Sequence, residues 1–259
     1  MSDTTLTPAG TPVWCFLETP DVSVATAFYT QLFGWEHDPE NGRFLLNGKI
    51  AAGIIEAPDG ITAAWRVALS THDATGTVEA IRTAGGIVTS GPTDLTGAGV
   101  LVSALDTAGA EVSFWEAEGR DGFEVMHEAG APVWFENWTL DYAAAVPFYQ
   151  AAAGWTPTSN GPAYTLNGPY TESSAGIQDV RAAAPSAMLA WEAEVVANGR
   201  STWIVDFSAD GSDGFEAFAA RVTALAGSVP HPAGSDPDVV TALRVVDPTG
   251  ASFGVLTSA

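Results

Sequence analysis

Gly10–Trp35 reads GTPVWCFLETPDVSVATAFYTQLFGW, and Gly130–Trp155 reads GAPVWFENWTLDYAAAVPFYQAAAGW. The stretches lie 120 residues apart and agree at 11 of 26 positions without a gap. Average residue usage would give roughly two matches. The shared residues include Trp14/Trp134, Asp21/Asp141, Phe28-Tyr29/Phe148-Tyr149 and Gly34-Trp35/Gly154-Trp155. The same shift lays Leu46-Asn47-Gly48 on Leu166-Asn167-Gly168, and a shift of 141 lays Asp106–Ala110 on Asp247–Ala251. A unit of domain size has been duplicated, which is not the pattern of a short solenoid repeat. The reading gives a short tail at 1–9, a first domain at 10–118, a linker at 119–129 and a second domain at 130–259. The linker carries Gly119, Asp121-Gly122 and several Glu.

Both halves read alike. Pro12–Thr19 is an apolar-rich strand. Asp21 then caps a helix over Val22–Phe33, with Val24, Phe28 and Leu32 at helical spacing and Gly34 to close it. Short strands follow, joined at Asn41-Gly42 and Asn47-Gly48, with Asn160-Gly161 and Asn167-Gly168 in the second half; Asn-Gly tolerates the positive φ of a tight hairpin. A second strand and helix come next, Trp65–Thr71 with Ala74–Ala84, and Trp203–Ala209 with Phe215–Ala226. The last hairpin of each half turns at Asp106–Gly109 or Asp247–Gly250. The pattern is βαβββ, four times over. A helix-like run over Ala182–Asn198, with Met188, Leu189, Trp191 and Val195, lengthens the second half alone and is a candidate lid or surface helix.

The whole composition suits such a chain. At 259 residues it allows two modest domains, and 46% apolar residues exclude wholesale disorder. There are 31 Asp and Glu against 9 Lys and Arg, a formal charge of −22. Phosphate backbones and anionic membranes would repel it, so neither nucleic acid nor membrane is an expected partner. The acidity is read as solubility. A lone cysteine, Cys15, excludes an internal disulfide framework and a Cys-rich zinc site, and is read as a small buried apolar residue. No apolar run is long enough to span a membrane, and Met1–Thr5 is not followed by a signal-like segment. The expected location is cytoplasmic.

The strand, the Asp-capped helix with Phe-Tyr, the Gly-Trp, the hairpins and the late Asp-Pro-Thr-Gly turn resemble the vicinal oxygen chelate superfamily. It includes glyoxalase I, extradiol dioxygenases, fosfomycin-resistance proteins and bleomycin-binding proteins. More closely, the chain is similar to its tandem two-domain glyoxalase-like members from actinobacteria, some labelled hydroxylases. The resemblance covers nearly all of Gly10–Thr257. It implies an α+β fold of two tandem domains, each a cupped mixed sheet of two βαβββ modules with helices outside. It poorly specifies function, because the fold hosts many activities.

Metal-using members of that superfamily hold the ion inside the cup. The resemblance implies a His seven residues before the helix-opening Asp, which here is Trp14 or Trp134. In the second modules the position falls on Trp65 (Arg66 if the register slips by one) and Trp203. A closing Glu seven residues past the late Asp would be Ser113 or Gly254. Indole has no lone pair to offer a metal and glycine has no side chain. Glu56, with Asp179 as its rough counterpart, does not make a site alone. His37, His72, His127 and His231 are scattered and are read as surface residues. No stoichiometric metal and no other cofactor is therefore expected, which argues against the metal-dependent chemistries of the superfamily.

Aromatic surface stands where ligands would be. Strand alternation sets Trp14, Phe16 and Glu18 on one face, and Trp134, Glu136 and Trp138 on the matching face. The expected cup lining adds Trp65, Trp203 and Phe207 from the second modules, and Glu111, Ser113, Trp115 and Gly254 from the last strands. Glu136, Glu18 and Glu111 are the acid–base candidates. Glu136 leads, because flanking Trp134 and Trp138 would strip its charged form of water. Phe28-Tyr29 and Phe148-Tyr149 are read as packing. Cup filling by the Trp residues is the competing reading. The leading functional reading is metal-free binding of a hydrophobic, aromatic small molecule, as a sequestration or resistance-type protein. The alternative is a tailoring enzyme of secondary metabolism, an isomerase, cyclase or aid to hydroxylation, using a cup carboxylate. A metal-dependent lyase or dioxygenase ranks third. Since one chain carries both repeats, a monomer suffices, and a homodimer remains open.

Overall fold

A computed structural model describes residues 7–58, 60–95, 97–119, 122–161, 164–168, 174–182, 195–209, 214–230 and 242–257. Four modules follow one another. The first holds β1 (Pro12–Thr19), α1 (Val22–Phe33), β2 (Glu36–Asp38), β3 (Arg43–Leu46) and β4 (Lys49–Glu56). The second holds β5 (Ala64–Ser70), α2 (Ala74–Thr83), β6 (Ile87–Leu95), β7 (Gly99–Leu105) and β8 (Glu111–Ala117). The third holds β9 (Pro132–Thr139), α3 (Tyr142–Ala153), β10 (Pro157–Ser159), β11 (Tyr164–Asn167) and β12 (Ala175–Asp179). The fourth holds β13 (Thr202–Ala209), α4 (Gly214–Ala224), β14 (Ala242–Val246) and β15 (Ser252–Thr257). An isolated antiparallel bridge joins Ser228 to Val246. Of the helix-like run at 182–198, residues 183–194 lie outside the described residues, and 195–198 are helical.

The first eight strands form one mixed sheet and the last seven another, the α+β architecture expected of two tandem halves. In every module the first strand runs parallel to the last: β1 with β4, β5 with β8, β9 with β12 and β13 with β15. A parallel return needs a crossover, and the helix supplies it. Local chemistry sets the helix ends. Asp21 Oδ1 accepts from the Val24 amide at 2.9 Å, and Asp141 Oδ1 from the Ala144 amide at 3.1 Å. Gly34 and Gly154 close the two helices in the left-handed conformation, φ 72° and 69°. Asn47 and Gly48 turn β3 into β4 with φ of 52° and 74°, the two positive values a tight hairpin requires.

By compactness the chain groups into two units, each with one module from each half. One comprises 1–14, 67–122 and 135–203; the other comprises 15–66, 123–134 and 204–259. In the second unit, the Tyr29 ring stands edge-on to Trp65 at 5.4 Å, and Trp65 edge-on to Trp35 at 6.3 Å. Phe44, Phe207 and Phe253 complete that core. The first unit repeats the arrangement, with Tyr149 edge-on to Trp203 at 5.5 Å and Trp155 edge-on to Trp203 at 6.3 Å. Edge-to-face contact suits the aromatic quadrupole.

The duplicated glycines belong to this packing. Trp155 Nε1 donates to the Gly10 carbonyl at 3.0 Å, and Trp35 Nε1 to the Gly130 carbonyl at 2.8 Å. A Cβ on Gly10, at φ 79°, would lie 2.4 Å from the Ala153 carbonyl oxygen and 2.5 Å from Trp155 Cδ1. Only glycine allows that approach.

Candidate functional site: two sheet faces

Each unit has a buried polar hub on the helix side of its sheet. In the first unit, Tyr149 donates its O–H to Asp106 Oδ2 at 3.0 Å. The same hydroxyl accepts from Trp203 Nε1 at 2.9 Å and from Asn137 Nδ2 at 3.1 Å. Asp106 Oδ1 in turn accepts the Ala108 and Ala110 amides, which shapes the turn into β8. In the second unit, Tyr29 donates to Asp247 Oδ2 at 2.9 Å and accepts from Trp65 Nε1 at 2.9 Å. Burial pushes both tyrosine hydroxyls well above their ordinary value, so they stay protonated donors. These repeated tyrosines, read as packing, are indeed sealed in the core.

Burial also raises Asp106 above the ordinary carboxylate value of 3.8, against the pull of its hydrogen bonds. The folded state therefore takes up this proton before the unfolded one. The contribution of Asp106 to stability should rise as pH falls through its raised folded value, and level off below 3.8. Asp106→Asn keeps an acceptor for the turn but cannot titrate. Urea unfolding between neutral pH and about pH 4 should show wild type gaining stability relative to Asp106→Asn on acidification. Parallel profiles would contradict the assignment.

The hubs fix the register of the strands. Trp65 and Trp203 bond helix tyrosines, so Trp65, Val67 and Leu69, and likewise Trp203, Val205 and Phe207, point to the helices. Trp65 and Trp203 are each 4% exposed and Phe207 is fully buried. The expectation that these three aromatics line a ligand cup is corrected accordingly: they are core. Their strands carry apolar residues on both faces, so alternation could not tell the faces apart. The slipped register holds. Arg66 in β5, and Ile204 and Asp206 in β13, occupy the side away from the helices.

That side carries the rest of the expected set. On β1 it holds Trp14, Phe16 and Glu18, all partly buried, while Cys15 and Leu17 behind them are sealed. On β9 it holds Trp134 and Glu136, partly buried, and Trp138, buried. The Trp138 indole N–H donates to Glu136 Oε2. On β8 it holds Ser113, buried and bonded to Ser103 across the strand pair at 3.1 Å, with Trp115 partly buried and Glu111 at the strand start. On β15 it holds Gly254, paired with Asp206 on one side and Arg244 on the other. Gly254 was expected to leave room. A Cβ there would sit 1.6 Å from Asp206 Oδ1, so the Asp206 carboxylate already takes that space.

All three acid–base candidates are engaged. Glu18 Oε2 accepts from Arg66 Nε at 2.9 Å and Nη2 at 2.8 Å. Glu111 lies 3.6 Å from Arg200, with side chains 38% and 70% exposed, a contact too wet to matter much. Glu136 is held by the Trp138 indole N–H. Arg66 was noticed in the sequence only as a slipped register, and Asp206 was missed. A glycine inside the paired strand signals close approach of another group, and Asp206 is that group.

The remaining candidates are placed plainly. Cys15 is fully buried, and its thiol is pushed well above its ordinary value. His72 and His127 are exposed, His37 is partly buried, and His231 lies outside the described residues. A cavity of about 200 Å3 beside Trp115, lined also by Thr7, Ser70, Thr71, His72 and Glu116, is small. Sites for drug-sized ligands run from roughly 300 Å3 upward. No helix among the described residues is long and apolar enough to cross a membrane.

No family model matches the chain. Individual relatives do. The chain is 32% identical to "Putative glyoxylase CFP32" of Mycobacterium bovis over 95% of its length and 94% of the relative's. It is also 32% identical to "Anthracycline biosynthesis protein DnrV" of Streptomyces peucetius, over 95% and 93%. The chain belongs to the vicinal oxygen chelate superfamily. Solved structures agree on the fold. The Mn(II)-bound glyoxalase from Novosphingobium aromaticivorans aligns with a TM-score of 0.62 at 14% identity, over 97% of this chain and 83% of that one. The 2,3-dioxygenase LapB from Pseudomonas sp. KL28 aligns with a TM-score of 0.60 at 10% identity, over 98% and 94%.

The metal of the vicinal oxygen chelate superfamily does not suit this donor set. Among the described residues no three of His, Cys, Asp and Glu gather as a metal site would need. The face away from the helices carries Trp14, Trp134, Arg66 and Ile204 on the first strands, the last two one residue beyond the expected Trp65 and Trp203, and Ser113 and Gly254 on the last. An indole and an alkyl chain cannot ligate, and a guanidinium repels a cation. No step through a metal is derived from this superfamily member.

Proposed function

We propose that the chain binds a flat, hydrophobic aromatic small molecule of natural-product metabolism without a metal, as a sequestration or resistance-type protein. The observation that carries this reading is the exchange of ligands for rings. Trp14, Phe16, Trp115 and Trp134 stand partly exposed on the sheet faces turned away from the helices, whereas Trp35, Trp65, Trp155 and Trp203 are sealed behind. Half-open indole surface gains free energy by stacking a ring and excluding water. Two relatives named for anthracycline biosynthesis support an aromatic ligand, anthracyclines being flat polycyclic compounds.

A tailoring enzyme is the second reading, favoured by Glu136, a carboxylate between two indoles on the ligand face. The two readings differ in one experiment. A polycyclic aromatic polyketide should quench tryptophan fluorescence and be recovered unchanged by mass spectrometry. Trp134→Ala should weaken binding by about 1–3 kcal/mol. Glu136→Gln should leave affinity nearly as it was. Turnover by wild type that falls roughly 100-fold in Glu136→Gln would establish the enzyme instead. No quenching at all would make the indoles mere filling.

A further inference from the structure

We infer that the Glu18–Arg66 pair reads the polar edge of the ligand and selects a hydroxylated aromatic, a phenol or polyphenol, over its ether and carboxylate analogues. This rests on the aromatic-binding reading above and narrows its ligand class. Both guanidinium contacts converge on Oε2 of Glu18, at 2.9 and 2.8 Å. Among the described residues, Oε1 accepts no hydrogen bond from the protein. The two side chains are 19% and 18% exposed, so the pair is largely withdrawn from water without being sealed. An ionised oxygen so placed is stabilised by a donor, and an O–H bound to a carboxylate is a strong, charge-assisted one.

The surroundings define what brings that donor. Phe16 precedes Glu18 by two residues on the same face of β1 and is partly buried. Its partner on β4 is Gly53, which offers no side chain, and the partner of Glu18 is Ile55, 47% exposed. An apolar floor thus adjoins a fixed acceptor. The pair as a whole carries no net charge. A carboxylate meets the like charge of Glu18 and an ether brings no donor, while a neutral phenol donates to Oε1. Arg66 is the positioning residue, holding the carboxylate oriented through both of its contacts to Oε2. The second half lacks the device: Trp138 stands in the place of Glu18, and Ile204 in the place of Arg66.

Calorimetric titration with 2,6-dihydroxynaphthalene, 2,6-dimethoxynaphthalene and 2-naphthoate tests this. Wild type should bind the diol about tenfold more tightly than each of the other two, the scale set by one lost hydrogen bond to a charged group. In Glu18→Gln the amide oxygen keeps the Arg66 bonds and turns an N–H2 donor outward. The diol preference should then fall to within about twofold of the ether, or reverse. Circular dichroism and the urea midpoint confirm that the variant is folded. Equal affinity of wild type for diol and ether overturns the inference and leaves aromatic binding standing. A preference that survives Glu18→Gln also overturns it, by placing the reader elsewhere. If none of the three naphthalenes binds, the inference and the aromatic reading both fall.

Discussion

Trp203→Ala should lower the stability of the chain by about 3–5 kcal/mol, the usual cost of emptying a buried indole site. Trp203 is 4% exposed, stands edge-on to both Tyr149 and Trp155, and donates its N–H to the Tyr149 hydroxyl. Alanine removes the ring contacts and a hub donor together. Urea unfolding followed by circular dichroism reads the loss directly. Trp65→Ala should behave alike, since Trp65 holds the corresponding place beside Tyr29. Trp134→Ala should cost much less, because Trp134 is only partly buried. A loss below about 1 kcal/mol for Trp203→Ala would contradict the placement of this residue in the core.

Tyr149→Phe should cost about 2–4 kcal/mol, with almost no change in volume. The hydroxyl serves three buried partners, Asp106, Trp203 and Asn137. Deleting it leaves an indole N–H without its acceptor and takes a donor from a buried carboxylate. Each orphaned buried group costs about 1–3 kcal/mol, and Asn137 Nδ2 still reaches Asp106 Oδ2 at 3.3 Å, which limits the total. Tyr29→Phe should cost about 1 kcal/mol less, because its hydroxyl has two such partners, Asp247 and Trp65. Equal and negligible losses at both positions would show that the hubs add nothing beyond ring packing.

The fold was legible because its signals are local or repeated. Asp21 and Asp141 cap, Gly34 and Gly154 terminate, and Asn47-Gly48 turns, each through backbone geometry that few residues satisfy. The long-range part of the duplication also has a cause. Gly10 meets Trp155, Gly130 meets Trp35, and the late Asp106 and Asp247 meet Tyr149 and Tyr29. Residues the two halves share are therefore mostly those that assemble the core. On the faces turned away from the helices the halves share Trp14 and Trp134 but differ elsewhere: Phe16 against Glu136, Glu18 against Trp138, Arg66 against Ile204.

The candidate site was harder to read for the same reason. Val67-Ala68-Leu69 and Ile204-Val205 are buried on both faces, so period-two alternation carries no sign, and two core tryptophans passed for ligand residues. β1 and β9 alternate more openly, and there Trp14, Phe16, Glu18, Trp134 and Glu136 fall on the expected side. The Arg66 partner of Glu18 and the Asp206 carboxylate over Gly254 depend on strand register, which a single sequence sets only loosely.

If half-open tryptophans stand in for the metal, as proposed, calorimetric titration of chelator-treated protein with a planar polycyclic aromatic should give a saturable isotherm. That isotherm should be the same with EDTA present and be weakened in Trp134→Ala. Binding that appears only after a divalent metal is added back, or no binding under either condition, would contradict it.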